Sequence, residues 1–402
     1  MAVVTSGVDF LHGEERRRYQ EAWLGQLIRA AYGRAPAMRE RIGRADASLG
    51  DIRITRKDEV IDMQKSAPPF GGLLLEGADV ARVFLSPGPL LDAQGPSPDH
   101  WRLAAPLRAV GFAPGMVVHS AASYNGTPLG WMFDGALREV GCTVIPAGPG
   151  SAELQVQTVR ALGATGYVGT PSGLRLLYEK ATELGPAGAI GFKRACVAGE
   201  MLPPSLRAEL ESFGPTVCQF YGTAECGCLG YECLERDGMH VPADVVLELL
   251  DPETRAPVAT GGVGEVVVTV NEPTYALVRF ATGDLAMTTD ASCRCGRGGE
   301  RIVRIVGRVG DAVKVRGMFV HPRQVGDVVA RFPQVRRWQA VVTREGARDT
   351  LTLRVVADDL DDAARESLAR ALHEVIKVRA DIERAQTLPE GAPLVRDERR
   401  WT

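Results

Sequence analysis

A carboxylate, a guanidinium and an ammonium follow one another between positions 282 and 317. Asp284 ends a predicted strand, Arg308 stands in a Gly-Arg turn, and Lys314 lies in a short apolar run. One carboxylate can accept hydrogen bonds from both hydroxyls of a ribose, and the glycine before Asp284 allows close backbone approach. The segment therefore predicts a ribose site at a joint between two domains. A β-turn aspartate with an unrelated surface arginine is the alternative, and the order of these residues disfavours it.

A second group of candidate residues, positions 221–225, directly follows a predicted strand. It consists of Tyr221, Gly222, Thr223, Ala224 and Glu225. Ligands of doubly wound sheets bind at the carboxyl ends of strands, an aromatic ring can lie against a base, and a glutamate can bind Mg²⁺. An ordinary strand-to-loop turn explains these five residues equally well. A similar turn at positions 198–200 precedes them by 21 residues.

Cysteine and histidine residues recur on both sides of position 240. Four of them are Cys233, His240, Cys293 and Cys295. Three thiolates and one imidazole are a ligand set typical of tetrahedral structural zinc. The alternatives are four reduced side chains without a metal, or a site that uses Cys226 and Cys228. Eight cysteines in a chain of 402 residues without a leader pattern argue against a disulfide framework.

The pattern of predicted helices and strands, which must position these residues, changes twice along the chain. Predicted strands at 116–120, 142–146, 165–168, 194–198 and 217–220 alternate with predicted helices at 129–140, 154–162, 171–184 and 203–213. This alternation predicts right-handed βαβ units and a parallel sheet covered on both faces. Shorter runs at 245–250, 264–270 and 276–280 predict an antiparallel, barrel-like subdomain. A helix is expected over residues 14–45.

A third pattern begins after Gly310. A strand at 313–315, a helix at 322–332, a hairpin at 338–343 and 351–356, a helix at 361–377 and a last strand at 382–387 predict a small α+β domain. The expected division is a large domain at 1–308, with the β subdomain at about 240–306, and a mobile C-terminal lid at 309–402. Gly310 is the expected hinge.

Composition narrows the functional classes. The chain is 45% hydrophobic and 24% charged, as is usual for a globular protein with more than one domain. Its net charge of −3 gives no electrostatic basis for nucleic-acid binding. No apolar run is long enough for a membrane span, and the first residues do not form a secretory leader. We therefore expect a cytoplasmic protein without a nucleic-acid or membrane partner.

The order of these motifs resembles that of the adenylate-forming ligases, most closely the phenylacetate–coenzyme A ligase family. The resemblance covers the chain from about residue 50. It implies an α/β fold in which a large N-terminal domain with parallel βα sheets and a β-barrel-like subdomain precedes a small α+β C-terminal lid. It also implies an AMP-forming acid–thiol ligase that uses ATP, Mg²⁺ and coenzyme A. The expected substrate is a small carboxylic acid, aromatic by analogy, and a homodimer is an open option.

The resemblance also assigns roles to individual residues. The adenine and α-phosphate would contact Gly199, Glu200, Tyr221, Gly222 and Thr223. The ribose would contact Asp284 and Arg308, Mg²⁺ would bind Glu225, and Lys314 with Gly317 would serve the thioester-forming step. The acid would be lined by His119, Tyr124 and Asn125. Some members of the family hold zinc with the set corresponding to Cys233, His240, Cys293 and Cys295.

Three positions depart from the family pattern. The phosphate loop is expected near residue 90, but Pro87 and Pro89 lack N–H donors and Ser86 is its remaining hydroxyl. The C-terminal catalytic lysine of the family falls on Ala392 or Pro393, and the hinge is a glycine. These departures weaken the adenylation step. They raise the alternative of a degenerate homologue that binds nucleotide or acyl-CoA, or performs only the thioester half-reaction.

Overall fold

The structure is a computed structural model, and it describes residues 7–86, 90–309, 313–315, 318–345, 348–389 and 392–399. The chain forms two compact units. The first contains Met1–Glu248, Val267–Thr282 and Thr288–Val303, and the second contains Leu249–Val266, Gly283–Met287 and Arg304–Thr402. Strands near residues 245–308 contribute residues to both units. Among the described residues, no helix is both long and apolar enough to cross a membrane.

The helices and strands have the following bounds. The α-helices are α1 Gly13–Arg34, α2 Pro36–Ile42, α3 Lys57–Ser66, α4 Ala104–Ala109, α5 Leu129–Val140, α6 Ala152–Leu162, α7 Pro171–Glu183, α8 Pro204–Ser212, α9 Pro322–Val329 and α10 Asp362–Ile376. The first strands are β1 Thr55–Arg56, β2 Arg82–Ser86, β3 Leu90–Gln94, β4 Val117–Ser120, β5 Thr143–Pro146, β6 Gly166–Gly169, β7 Arg194–Val197, β8 Thr216–Thr223, β9 Gly227–Tyr231 and β10 Met239–His240. The remaining strands are β11 Val245–Leu250, β12 Val263–Val270, β13 Phe280–Thr289, β14 Arg301–Arg308, β15 Val313–Val315, β16 Met318–Val320, β17 Val335–Glu345, β18 Arg348–Ala357, β19 Ala380–Arg384 and β20 Val395–Asp397.

The first unit is built on a mixed sheet. Strands β8, β7, β6, β4 and β5 lie side by side in that order and are all parallel. On the other side of β8, the strands β9, β10 and β14 continue the sheet in antiparallel fashion. The parallel region confirms the predicted βαβ units, and the carboxyl ends of its strands meet at one edge.

Hydrophobic clusters cover the parallel strands on both faces. Successive residues of β6 belong to different clusters, Tyr167 to one and Val168 to the other. Since side chains alternate across a strand, the two clusters lie on opposite faces of the sheet. Helix α5 contributes Phe133 to one cluster, and α7 contributes Leu174 to the other.

Local signals explain where the helices of this unit begin and end. Ser151 caps α6 by accepting a hydrogen bond from Leu154 N, and Thr170 caps α7 by accepting one from Gly173 N at 3.1 Å. Pro171 occupies the first turn of α7, where a missing N–H is harmless. These caps fix the loops at the carboxyl edge of the sheet, from which α6 and α7 start.

The second unit contains a four-stranded sheet in the order β19, β18, β17, β20. Strands β17 and β18 form the predicted hairpin, while β19 and β20 run parallel to their neighbours. Helices α9 and α10 supply buried residues such as Val328 and Leu368 to its core. Asp361 caps α10 by accepting a hydrogen bond from Ala364 N at 2.7 Å.

Three elements differ from the expectation. The predicted helix at 14–45 is two helices, because Pro36 starts a second one after Ala35. The predicted strand at 276–280 is wrong: β13 runs from Phe280 to Thr289, while Ala276 N donates to Leu73 O in a short contact with the N-terminal segment. The predicted strand at 382–387 corresponds to β19 at Ala380–Arg384, and the chain ends with a further strand, β20, that the sequence did not predict.

Candidate functional site

A cavity of about 750 Å³ opens at the carboxyl ends of the parallel strands in the first unit. Most of its lining is apolar: Ala121, Ala122, Pro128, Leu129, Met132, Pro149, Ala152, Leu176, Leu177, Ala198, Phe220 and Ala224. Polar groups come from Ser123, Thr127, Gln155, Thr170, Ser172 and Thr223, and glycines line the rest. The size and apolar walls suit an organic ligand of drug-like dimensions. The predicted residues Gly199, Gly222 and Thr223 line this cavity.

The Gly199–Glu200 turn is tied to the start of α7. Glu200 accepts hydrogen bonds from Ser172 Oγ at 2.7 Å and from Ser172 N at 3.1 Å. A carboxylate at a helix N-terminus is also favoured by the helix dipole. The turn after β7 therefore forms a fixed wall of the cavity through this contact.

Tyr221 lies near the end of β8, and its hydroxyl donates to Thr282 Oγ1 at 3.3 Å. The β8–β9 pairing shifts register between Tyr221 and Gly222, which redirects the chain at this point. Thr223 Oγ1 accepts a hydrogen bond from Cys226 N at 3.1 Å. The Thr223 hydroxyl is thus already used in closing the turn that presents Glu225.

Glu225 is paired with a lysine that the sequence did not single out. Lys57 Nζ lies 2.7 Å from Glu225 Oε1, and the Glu225 side chain is only 3% exposed. Lys57 is positioned because it begins α3 directly after β1, and β1 pairs with the start of β13, Thr55 beside Phe280. An ammonium therefore stands beside the predicted Mg²⁺ ligand.

A second buried carboxyl group, that of Asp92, interacts with both Glu225 and Lys57. Asp92 on β3 is 5% exposed. Burial, and then the negative charge of Glu225, raise the pKa of Asp92 to about 7, against smaller lowering effects of the Ser86 hydrogen bond and of Lys57. Two carboxyl groups thus lie near one ammonium, and the raised pKa of Asp92 favours its protonated form to a higher pH than is usual for an aspartate.

The predicted ribose pair lies together in the second unit. Arg308 Nε is 3.4 Å from Asp284 Oδ1, with side-chain exposures of 62% and 19%. Gly283 adopts a φ of 77°, which a residue with a side chain rarely does. A Cβ at Gly307 would overlap the imidazole of His321, whose Nε2 accepts a hydrogen bond from Arg308 N at 3.2 Å. Glycine is required at position 307 because the His321 ring occupies the space that a side chain would need.

Several predicted positions lie outside the described residues. These are the phosphate-loop residues 87–89, the hinge residue Gly310 and Gly317. Lys314 belongs to β15, and its side chain is also outside the described part of the chain. Ala392 and Pro393 precede β20, and no lysine occurs after Lys377 in the sequence.

The three residues expected to line the acid pocket lie behind or beside the cavity wall. His119 is completely buried, and its Nε2 lies 2.8 Å from Oε1 of Gln155, which does line the cavity. The Tyr124 hydroxyl donates to Ser120 Oγ at 3.0 Å. Asn125 is exposed and its N–H donates to Ser123 Oγ at 3.2 Å. None of the three is among the described cavity-lining residues.

The four predicted zinc ligands converge in the first unit. One ligand atom from each of Cys233, His240, Cys293 and Cys295 lies within 4.8 Å of the others. The Cys233 and Cys293 sulfurs are 3.8 Å apart, and Cys295 Sγ is 3.3 Å from His240 Nε2. Zn–S bonds of about 2.3 Å in a tetrahedron place two sulfurs about 3.8 Å apart, so the donor set fits zinc.

The electrostatics favour the ligand forms of His240 and Cys295, whereas burial raises the pKa of the Cys233 thiol and favours its protonated form in the absence of a metal ion. Burial, then the charges of Arg297, Arg301 and Arg16, lower the pKa of His240 to about 4, which keeps its imidazole neutral. Burial alone would raise the pKa of the Cys295 thiol, but hydrogen bonds from Arg297 outweigh it and lower the pKa. Neutral imidazole and thiolate are the forms that bind a metal ion.

Comparisons with known proteins identify the family of the chain. The AMP-binding enzyme family model matches residues 110–272, and the AMP-binding enzyme C-terminal domain model matches residues 317–394. The phenylacetate–coenzyme A ligase of Thermus thermophilus is 31% identical over 372 residues, which cover 87% of this chain and 83% of that protein. The chain belongs to the phenylacetate–coenzyme A ligase family. The Escherichia coli member is 28% identical, with 88% and 84% of the two chains covered.

A solved structure shares the fold of this ligase-family chain. An open conformation of 2-hydroxyisobutyryl-CoA ligase, in complex with 2-HIB-AMP and CoA, matches with a TM-score of 0.84. The match has 22% identity and covers 95% of this chain and 91% of that one. The predicted family and the α/β fold class are therefore confirmed.

Sequence reasoning missed three residues near the cavity and Glu225: Lys57, Asp92 and Gln155. Each comes from a segment without a motif and meets the site only through the folded sheet. The scarcity of lysine was a usable signal for Lys57, because an arginine-rich chain keeps few lysines. Nothing in the sequence around Asp92 distinguishes it from an exposed strand residue.

Proposed function

We propose that this chain is an AMP-forming acid–CoA ligase that activates an aromatic or other small carboxylic acid. Family membership supports the reaction class, and one structural observation supports it independently. This is the apolar cavity at the carboxyl strand ends, with Gly199, Gly222 and Thr223 in its wall and Glu225 three residues beyond Gly222. An organic acid and a nucleotide need such a combination of apolar walls and a charged end.

The proposed reaction has two steps. The carboxylate oxygen of the acid attacks the α-phosphorus of ATP, the bond to the bridging oxygen breaks, and acyl-AMP and pyrophosphate form. The sulfur of coenzyme A then attacks the acyl carbon, its thiol proton is lost, and AMP leaves. Asp284 and Arg308 would bind the ribose, and the Gly199–Glu200 and Tyr221–Thr223 segments would bind the adenine and α-phosphate. Lys314 would act in the second step.

Glu225 and Lys57 are suited to the charges of the first step. Mg²⁺, when bound at Glu225, supplies charge compensation for the phosphate oxygens. The Lys57 ammonium, 2.7 Å from Glu225, is 35% exposed and can contact phosphate as well. It would partly replace the terminal lysine that this sequence lacks, because a positioned cation opposite developing negative charge stabilises the transition state.

A second candidate function is the thioester half-reaction alone, or nucleotide binding without turnover. The lack of lysine after position 377 and the prolines at 87 and 89 favour it. Both features affect the adenylation step, whereas Asp284, Arg308 and Lys314 are retained.

ATP–pyrophosphate exchange separates the two candidates. We expect exchange that depends on an added acid from a panel of phenylacetates, benzoates and short aliphatic acids. Asp284→Asn should lower kcat/KM for ATP about 10- to 100-fold, because a charged hydrogen-bonding group contributes about 1.5–3 kcal/mol. Asp290→Asn, an exposed change just beyond the same strand, is the matched control and should have no effect.

Exchange absent with every acid would contradict adenylation. Supplying a synthetic acyl-adenylate with coenzyme A then tests the second candidate, since thioester formation would show that the later half-reaction remains. Equal activity of Asp284→Asn and Asp290→Asn would contradict the ribose assignment.

Further parts of the proposal follow from the same assignment. We place the protein in the cytoplasm, where ATP and coenzyme A are available, and leave a homodimer as an option. Residues 309–402 would be the C-terminal domain with its hinge at Gly310, which agrees with the family match at 317–394. The Cys233, His240, Cys293 and Cys295 cluster would hold a structural zinc, because four protein ligands leave no open position for catalysis.

A further inference from the structure

The cavity wall contains one amide group whose orientation is fixed from behind. Gln155 lies in the first half of α6 and lines the cavity. Its Oε1 accepts a hydrogen bond from Nε2 of His119 at 2.8 Å. With the oxygen held by His119, the amide NH₂ group must point elsewhere.

The His119 ring cannot easily rotate to release the amide. It is completely buried and lies near-parallel to the rings of Tyr167 and Phe192, with centroid distances of 6.3 and 6.4 Å. Burial lowers the pKa of His119, so the ring is neutral. Its Nδ1 has no hydrogen-bond partner among the described residues, and a buried lone pair is less costly there than a buried N–H. The proton therefore sits on Nε2 and is donated to Gln155.

The free end of Gln155 is directed along the cavity wall. The position that a Cβ would take at Gly150, another lining residue, is 3.9 Å from Gln155 Nε2. Within the described part of the chain, the Gln155 amide nitrogen makes no hydrogen bond. By contrast, Thr170 Oγ1 caps α7 and Ser172 Oγ binds Glu200, so these two hydroxyls of the cavity are already engaged.

The Gln155 amide is also distant from the end of the cavity beside β8, where the proposed reaction takes place. His119 lies on β4, and β4 is separated from β8, which carries Tyr221, by β6 and β7. Three strand spacings of about 4.8 Å amount to about 14 Å. The wall between is apolar, with Ala121, Ala122 and Phe220 among its members. A ligand that reaches both ends is longer than phenylacetate itself.

We propose that Gln155 is a specificity-determining residue and His119 its positioning residue: the cavity selects acids that carry a hydrogen-bond acceptor at the end remote from the carboxylate. The inference rests on the proposed ligase function, because that assignment puts the α-phosphate, which the substrate carboxylate attacks, beside the Tyr221–Thr223 segment. An amide donor held in a mainly apolar wall favours a ligand that accepts its hydrogen bond and leaves an acceptor-free ligand with a desolvated amide. The substrate class is therefore an elongated acid with a terminal carbonyl, ether or hydroxyl oxygen.

The test compares acids of equal shape that differ in one acceptor. The pair is 4-acetylphenyl and 4-isopropylphenyl acids, each with one, two or three methylenes before the carboxylate. Binding is measured by calorimetry and turnover by pyrophosphate exchange. We expect the acetyl acid to be preferred about tenfold in kcat/KM and in Kd, most clearly at one chain length.

Two variants complete the experiment. Gln155→Met keeps the length of the side chain and removes the donor, so the preference for the acetyl acid should fall to about one in both kcat/KM and Kd. Gln157→Met is the matched control, since Gln157 is exposed in the same helix, and its preference should equal that of the parent protein. If Gln155→Met is unstable, Gln155→Leu removes the same amide donor with a side chain of a different shape.

The outcomes distinguish this inference from the proposed function. Exchange with equal use of both acids, or an unchanged preference in Gln155→Met, would overturn the role of Gln155 and leave the ligase intact. A tenfold difference in Kd without any exchange would support Gln155 and contradict adenylation. Neither binding nor exchange with any acid would overturn both.

Discussion

At the scale of single residues, the Cys/His cluster joins chain segments that are far apart in sequence. Cys233 follows β9, His240 ends β10, and the pair Cys293 and Cys295 precedes β14. These strands are neighbours in the sheet, so the four side chains meet in its antiparallel part. A metal ion would pin the loop before β14 to the rest of the first unit. A closed four-ligand site of this kind contributes directly to folding stability.

Removing one ligand should therefore release the metal and destabilise the fold. We expect about one zinc ion per chain in the purified protein and a strongly reduced content in Cys233→Ser, with a melting temperature lower by several degrees. Metal analysis by mass spectrometry and thermal unfolding followed by circular dichroism check this. Cys142→Ser is the control, since Cys142 is a buried thiol that donates to Ala113 O and lies outside the cluster. A parent protein without zinc would refute the assignment.

At the scale of elements, the cavity depends on how closely α5 packs. Gly135 lies in the middle of this helix, and a Cβ there would overlap the backbone carbonyl of Pro98. The first turn of α5 provides Leu129 and Met132 to the cavity wall. The glycine thus allows an approach between a helix and a loop that any larger residue would prevent.

Gly135→Ala should accordingly destabilise the protein by about 1–3 kcal/mol, because overpacking forces the helix or the loop to move. It should also weaken acid binding, since the wall residues of α5 move with the helix. Gly33→Ala provides the contrast, because nothing lies within 4 Å of a Cβ at Gly33 in α1 and alanine favours a helix by up to about 1 kcal/mol. Denaturant unfolding and calorimetry measure both effects. Equal stability of the two variants would be inconsistent with the close packing of α5.

Most helices and strands were predictable, because the residues that determine them lie within or next to each element. Strands β4 to β8 and helices α5 to α8 carry their own caps, prolines and apolar patterns, so a short window identifies each one. Short pairings between distant segments were not predictable. Strand β1 has two residues and exists only because it pairs with β13, and Ala276 bonds to Leu73 instead of extending a strand. Lys57 is brought to Glu225 by such a pairing, which explains why the sequence alone did not indicate it.

At the scale of the whole molecule, the charge balance around Glu225 makes stability depend on pH. The pKa of Asp92 is about 7 in the folded protein, against an ordinary aspartate value of 3.8. Between these values the folded protein retains a proton that the unfolded chain has lost, so the contribution of Asp92 to stability falls as the pH rises through about 7. Above that pH, the cost of an ionised buried carboxylate beside Glu225 is fully present. Glu300, whose pKa burial also raises to about 7, adds a second contribution of the same sign.

Asp92→Asn should remove the Asp92 part of this dependence while keeping an acceptor for Ser86. We expect little change in unfolding free energy at pH 4 and a stabilisation that grows to a few kcal/mol, at most about 4, at pH 8, since one pKa unit corresponds to about 1.4 kcal/mol. A weaker slope should persist because Glu300 still titrates. Unfolding monitored at pH 4, 5, 6, 7 and 8 gives the profile. Asp46→Asn is the control, because the Asp46 side chain is 87% exposed. Its unfolding free energy should differ from that of the parent protein by the same amount at every pH. If the difference in unfolding free energy between Asp92→Asn and the parent protein is also independent of pH, Lys57 compensates both carboxylates and Asp92 is ionised throughout this pH range.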